Sequence, residues 1–417
     1  MRARTLHQPE KTHSPLLRLL GPGLITGAAD DDPSGIATYS QAGAAYGFGQ
    51  LWTIVMCLPL MIAVQEACAR IGSATSQGLV KVTSRIYSKK VLFFVVALVV
   101  VANVINIGAD FAAVGASINL LIPLPIWMLS TLFMLIVLGL EIFIGYHTYA
   151  KFLKLLALSL LSYVAVALIV TNYWLEVFKA TFIPQLQWSS AYWYVIVAVL
   201  GTTISPYMFF WQSAEEVEES NYAQNHNKNQ RTIKEIRDGS WFMIITAAVV
   251  LHENGVVNIG TAADAAKALE PLVQGFPHAG TVAKVLFAIG VIGMGLLGIP
   301  VLAGSVAYAV SDAFNWREGL DYKLKEAKQF YGVIIFATVA GWLITLVGID
   351  PIKSLVFAAV INGLVAVPLI FLIARISQNK EVMGDLVGRG LSRTMLNIAF
   401  VVMLLCALML VGTTIFS

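Results

Sequence analysis

Residues 21–47, GPGLITGAADDDPSGIATYSQAGAAYG, decide how the rest of the chain is read. Three aspartates, Asp30, Asp31 and Asp32, stand in the middle of a stretch that is otherwise apolar or small. An ionised carboxylate at the centre of a bilayer costs at least ~2.5 kcal/mol, so three in a row must face water, a cation or protein dipoles. Pro33 follows at once. It lacks an N–H and clashes with the preceding turn, and Ser34-Gly35 loosens the next one, so the helix breaks there. A break at membrane depth frees carbonyl oxygens, which is tolerated only where they line a cavity or meet protein. Carboxylate plus free carbonyls makes an oxygen site for a hard cation. The competing reading is a helix end at the interface, with the aspartates as caps. The uncharged flanks at 21–29 and 35–48 oppose it.

Composition agrees that the solvent is lipid. Of the 417 residues, 58 % are hydrophobic and 12 % charged, against roughly half and about a quarter in soluble domains, and the mean hydropathy is +0.77. A disordered chain, a nucleic-acid module and a disulfide scaffold are excluded together. Cys57, Cys68 and Cys406 lie in or beside apolar runs and read as small buried hydrophobes.

Apolar runs long enough to cross a bilayer fall near 16–46 (interrupted), 50–70, 91–121, 125–145, 152–173, 192–213, 240–257, 281–311, 331–348, 354–375 and 395–416. That predicts an all-α membrane protein of eleven helices, one transmembrane domain over 1–417. The continuous apolar character excludes a β-barrel. Twenty-three of the 27 lysines and arginines fall on one side of this map; Lys179, Lys267, Lys284 and Lys353 fall on the other. The basic side is cytoplasmic, which places the N-terminus inside and the C-terminus outside. The connections 214–238 and 251–280 read as solvated, with a short helix at Ala262–Leu269, and His226 and His252 as connector residues without ligand partners.

A second break lies in the sixth span, VIVAVLGTTISPYMFFWQS, where Gly201, Thr202, Thr203, Ser205 and Pro206 interrupt the helix. Paired breaks in corresponding helices point to a transporter site. They divide the chain into inverted repeats of five spans, about 16–173 and about 192–375, with an extra helix at about 395–416.

These segments resemble the Nramp family of divalent-metal transporters, which have the LeuT-type fold. GPG at 21–23 followed by Asp32-Pro33 resembles the first-helix signature, VQEACARIGSATSQGL at 64–79 the second helix, NIGADFAAVGASINLL at 106–121 the third, and GTTISPY at 201–207 the sixth-helix motif. The departures from the family pattern carry chemistry. Asp32 and Pro33 are kept, but the family's Asn is Gly35, its Met is Ser205 and its His is Tyr207; on the third helix Asp110 is kept and a Glu becomes Ala113. The resemblance implies that Asn and Met join Asp in holding manganese or iron, and that the His and the third-helix acids couple protons. A thioether favours soft transition metals and gives nothing to Mg²⁺. Its loss leaves a wider, harder site suited to an ion that keeps its water. The pattern is most similar to the prokaryotic Nramp-related magnesium transporters.

The resemblance thus assigns the metal site to Asp32, Gly35, Thr202 and Ser205. Thr202 matches the position whose carbonyl meets the ion; Ser205 offers a hydroxyl or holds a water, and Gly35 offers a backbone oxygen or room. For Thr202 and Ser205, helix packing by small residues is an equal reading. Asp30, Asp31, Asn362, Asp110 and Tyr207 stand at the edge of the site in electrostatic or water-mediated roles. Glu66 reads as a partner of Arg70 at i, i+4. The function expected is uptake of hydrated Mg²⁺ and Mn²⁺ across a prokaryotic cytoplasmic membrane without proton coupling. The alternatives are a proton-coupled Mn²⁺/Fe²⁺ transporter of the same family and a Na⁺-coupled organic-solute transporter. A membrane enzyme is excluded for want of a nucleophile–base pair or an HExxH motif. No cofactor is implied beyond the transported ion, and the expected partners are that cation and the bilayer, with no nucleic acid and no obligate protein.

Overall fold

The computed structural model describes residues 32–143, 161–222, 244–275, 278–320 and 322–415, and all its regular elements are helical. Asp30 and Asp31 lie outside the described residues, as do the first half of the first expected span and His226. In chain order the helices are α1 Pro33–Tyr46, α2 Leu51–Thr75, α3 Leu79–Ile86, α4 Lys89–Asn119, α5 Ile126–Phe143, α6 Leu161–Val170, α7 Trp174–Phe182, α8 Ser190–Thr203 and α9 Pro206–Tyr222. A helical stretch at 244–252 follows, wound as a π-helix over Ala248–His252. Then come α10 Ala262–Lys267, α11 Glu270–Val273, α12 Ala279–Phe314, α13 Lys328–Thr345, α14 Pro351–Ser377, α15 Lys380–Met383 and α16 Gly390–Ile415.

Eight helical runs among the described residues are long and apolar enough to cross a membrane. The pair Ser162–Val170 and Trp174–Phe182, bent by 118°, makes a ninth. One of the eight, Pro33–Thr75, has 43 residues and a 3₁₀ turn at Gly47–Gln50. On either side of that turn lie the second half of the first expected span, Pro33–Tyr46, and the second, Leu51–Thr75. The expected span at 240–257 is described only from residue 244. The expected span at 152–173 is described only from residue 161, and the chain bends at its end, between Val170 and Trp174.

The surface is apolar and the interior partly polar, the reverse of a soluble fold. Trp127, Leu132 and Leu135 of α5 and Leu391, Leu405 and Leu408 of α16 are exposed. Asp32, Asn103, Asn106, Asp110, Thr202, Ser205 and Asn362 are all buried. Lipid accepts the first set and cannot solvate the second, so the polar groups are gathered inside the bundle.

Small residues bring the central helices close. A Cβ at Gly201 of α8 would lie 2.0 Å from the Ala359 carbonyl and 2.8 Å from the Cα of Gly363 on α14. Gly201 was expected to help break the sixth span. Instead α8 continues through it to Thr203, and its missing side chain serves the crossing with α14. The break falls at Ile204–Ser205, where Pro206 opens α9. The short helix expected near Ala262 is α10, closed by a capping box between Thr261 and Asp264. His252, expected in a solvated connection, is tied down: its Nδ1 lies 2.7 Å from the Ala44 carbonyl of α1. Arg70 makes a two-pronged pair with Glu66 at 2.8 and 3.1 Å, and both residues bond Ser392 of α16.

Candidate ion site

The site starts from the proline. Pro33 takes the first position of α1, where its missing N–H costs nothing. Asp32 is then the residue before the helix, in extended conformation at φ −74° and ψ 170°. This is the geometry of a capping side chain. Its Oδ1 accepts the Ser34 N–H at 2.9 Å and also the Ser34 hydroxyl. Its Oδ2 accepts the Asn106 side-chain N–H from α4 at 2.6 Å. Ser34 Oγ lies 2.9 Å from Thr202 Oγ1, in the last turn of α8. The start of α1, the end of α8 and the middle of α4 therefore meet at one carboxylate. Gly298 of α12 closes the back of the site: a Cβ there would lie 3.0 Å from the Asp32 Cβ.

A carboxylate offers about four lone-pair sites. Asp32 has three taken by protein donors, which leaves room for one direct contact with a cation or its water. The groups joined to it are two hydroxyls and an amide. Gly35 faces Thr202 with space to spare; a Cβ there would meet Tyr39 at 3.5 Å and Thr202 Oγ1 at 3.8 Å, ordinary packing distances. Its N–H bonds the Asp32 carbonyl at 3.0 Å.

Ser205, expected to offer a hydroxyl or hold a water, or to pack as a small residue, gives its proton to the backbone. Its hydroxyl donates back to the carbonyls of Gly201 and Thr202, at 2.9 and 2.7 Å. The carbonyls freed by the second break are covered by the residue that sits in the break. Tyr207 is buried in the first turn of α9, and its carbonyl accepts the Ser305 hydroxyl of α12 at 2.8 Å. Asp110 is fully buried on α4, one turn beyond Asn106, with neither carboxylate oxygen hydrogen-bonded. It shares its helical stripe with Asn106, which bonds Asp32. Asn362 is buried on α14 with both amide atoms unpartnered, next to the Gly363 that packs on α8. No group of three His, Cys, Asp or Glu converges among the described residues.

A family model described as Nramp, natural resistance-associated macrophage protein-like, matches residues 23–413. The chain belongs to the Nramp family. The divalent metal cation transporter MntH of Klebsiella pneumoniae (strain 342) is 26 % identical over 390 residues, which are 89 % of this chain and 88 % of the relative. MntH of Yersinia pestis (strain Pestoides F) is 27 % identical, covering 89 % of each chain. Among solved structures, the manganese transporter of Eremococcus coleocola superposes with a TM-score of 0.67 at 17 % identity, covering 97 % of this chain and 88 % of that one. MhsT in complex with L-phenylalanine gives 0.62 at 13 % identity, over 93 % and 98 %. These likenesses show the LeuT-like fold. This Nramp protein is therefore an all-α, multi-pass membrane transporter of a divalent metal cation, and not an enzyme.

Two residues of the site were not picked out in the sequence. Ser34 was read only as a helix loosener, although Asp-Pro-Ser is a capping pattern in its own right. Asn106 lies four residues before Asp110, at Asn103-x-x-Asn106-x-x-x-Asp110, a helical stripe of polar groups inside an apolar run.

Proposed function

We propose that this Nramp protein imports hard divalent cations, Mg²⁺ and Mn²⁺, as ions that keep much of their water, and that no proton is coupled to the movement. The observation that carries the reading is the Asp32 carboxylate, already holding Ser34 and Asn106, beside the hydroxyl of Thr202. A carboxylate so occupied has one contact left for the cation, and the remaining coordination falls to water. Mg²⁺ sheds its water reluctantly and suits this arrangement, and Mn²⁺ shares the preference for oxygen. Asp32 is the charged contact, Thr202 and Gly35 border the ion, and Ser205 shapes the break behind them. Two positive charges moving inward across about 100 mV gain about 4.6 kcal/mol, at ~2.3 kcal/mol per charge, enough to drive uptake alone. The excess of Lys and Arg in alternate connections supports a cytoplasmic N-terminus in a prokaryotic inner membrane.

A second reading is a proton-coupled Mn²⁺ transporter. It is favoured by the names of the relatives, divalent metal and manganese transporters, and by the buried Asp110 on the helical stripe of Asn106, which bonds Asp32. Reconstituted liposomes with a pH dye inside separate the two. Mg²⁺ and Mn²⁺ uptake without acidification is the result expected. Mn²⁺ uptake with acidification that scales with the metal, and no Mg²⁺ uptake, establishes the second reading.

A further inference from the structure

The α4 face that meets Asp32 is a row of acceptors. Asn103, Asn106 and Asp110 lie at i, i+3 and i+7, on one stripe of the helix. All three are fully buried. The Asn103 N–H₂ donates to the Leu302 carbonyl at 3.2 Å and the Asn106 N–H₂ to Asp32 at 2.6 Å. Neither amide oxygen has a partner, nor has either oxygen of Asp110.

The orientation of Asn106 follows from chemistry. An ionised carboxylate only accepts hydrogen bonds, so the amide must turn its N–H₂ to Asp32. Its Oδ1 is bonded to the same carbon as that nitrogen and so lies beside the Asp32 carboxylate, free. A buried amide oxygen without a donor is costly. Four unpartnered oxygens along one stripe suit a group that brings donors and positive charge. The water shell of a cation does both.

We propose that Asn106 is a working part of the ion site. Its N–H₂ positions the Asp32 carboxylate, and its Oδ1 accepts a hydrogen bond from a water of the transported cation, with the Asp110 carboxyl one turn away on the same stripe. The amide oxygen that the family pattern carries on the first helix, replaced here by Gly35, is thereby supplied from α4. Through the Ser34–Thr202 contact the shell is bounded on its other side by α8. This deepens the proposed function and rests on its assignment of Asp32 to the ion.

The test compares wild type, Asp32→Ala, Asn106→Leu and Asn106→Ser in proteoliposomes, with KM and maximal rate measured for Mn²⁺ and for Mg²⁺. Leucine keeps the branching of Asn with more bulk and removes both polar functions; serine restores a small hydroxyl. Removing a hydrogen bond to a charged group raises KM about tenfold or more in Asn106→Leu. The rise is larger for Mg²⁺, which depends more on its water, so the Mg²⁺ to Mn²⁺ preference falls; Asn106→Ser recovers part of both. A merely structural role lowers yield, thermal stability or maximal rate and leaves KM and the preference in place. KM within twofold of wild type and an unchanged preference in Asn106→Leu overturn the proposal. If Asn106→Leu does not fold, the same two readings on Asn106→Ser decide it. Normal uptake by Asp32→Ala would instead overturn the underlying assignment, whatever Asn106 does.

Discussion

At Asp32–Pro33 and at Ser205–Pro206 the backbone does the same thing, and the side chain before the proline does opposite things. Both prolines open a helix, Pro33 that of α1 and Pro206 that of α9. Asp32 reaches outward, to Ser34 and to Asn106 on another helix. Ser205 turns inward and closes on the carbonyls of its own break. A broken helix always leaves backbone groups to satisfy. At the first break a charged side chain is held in place and keeps capacity for a ligand. At the second the hydroxyl proton goes to the backbone. Under the proposed function the two prolines thus contribute unequally: the first presents the ion's charge, the second shapes the wall.

The sharpest way to break this contrast is to remove the charge. Asp32→Asn keeps a good helix cap, since Asn and Asp cap about equally well, so the protein should fold and extract normally. Uptake of Mn²⁺ and Mg²⁺ should fall by two orders of magnitude or more. Near-normal uptake removes Asp32 from the site. The next largest effect is on folding. Gly201→Ala forces a methyl to within 2.0 Å of the Ala359 carbonyl, and overpacking of this kind costs about 1–3 kcal/mol or more. Thermal scanning in detergent should show a clear loss, or no monodisperse protein at all. A wild-type melting curve contradicts the close α8–α14 crossing.

Ser205→Ala should act in between. It frees two carbonyls and costs about 1 kcal/mol of stability, while KM for the ion stays within about threefold of wild type. A tenfold rise in KM would make the Ser205 hydroxyl a ligand and erase the difference between the breaks. The smallest effect belongs to Gly35→Ala. Its Cβ meets only ordinary contacts, and Ala is the better helix former by up to about 1 kcal/mol. The variant should be at least as stable as wild type and still transport. Loss of transport with stability intact shows that the space before Gly35 is filled by the ion and its water.

How much of this could be read in the sequence depends on range. The described spans, the helix start at Pro33 and the buried acid before it were legible because they are local: an acid and a proline inside an apolar run have few outlets in lipid. The second break was legible to within a few residues. The part played by Gly201 was not, because helix continuation and helix breaking look alike until a second backbone, α14, is known to press on that face. The partner of the Ser205 hydroxyl was not legible for a related reason: a hydroxyl faces either a cavity or its own i−4 carbonyl, and the sequence does not say which. Asn106 and Ser34 escaped notice because their meaning is a contact, 74 residues distant in one case. The bend after Val170 and the tie between His252 and Ala44 are likewise tertiary facts.

The most direct measurement is Mn²⁺ binding to the purified protein, by titration calorimetry in detergent, on wild type, Asp32→Asn and Ser205→Ala in parallel. Saturable binding should be present in wild type, lost in Asp32→Asn and retained in Ser205→Ala at an affinity within about threefold of wild type. Binding retained in Asp32→Asn, or lost in a folded Ser205→Ala, contradicts the assignment of the ion's charge to the first break and of the wall to the second.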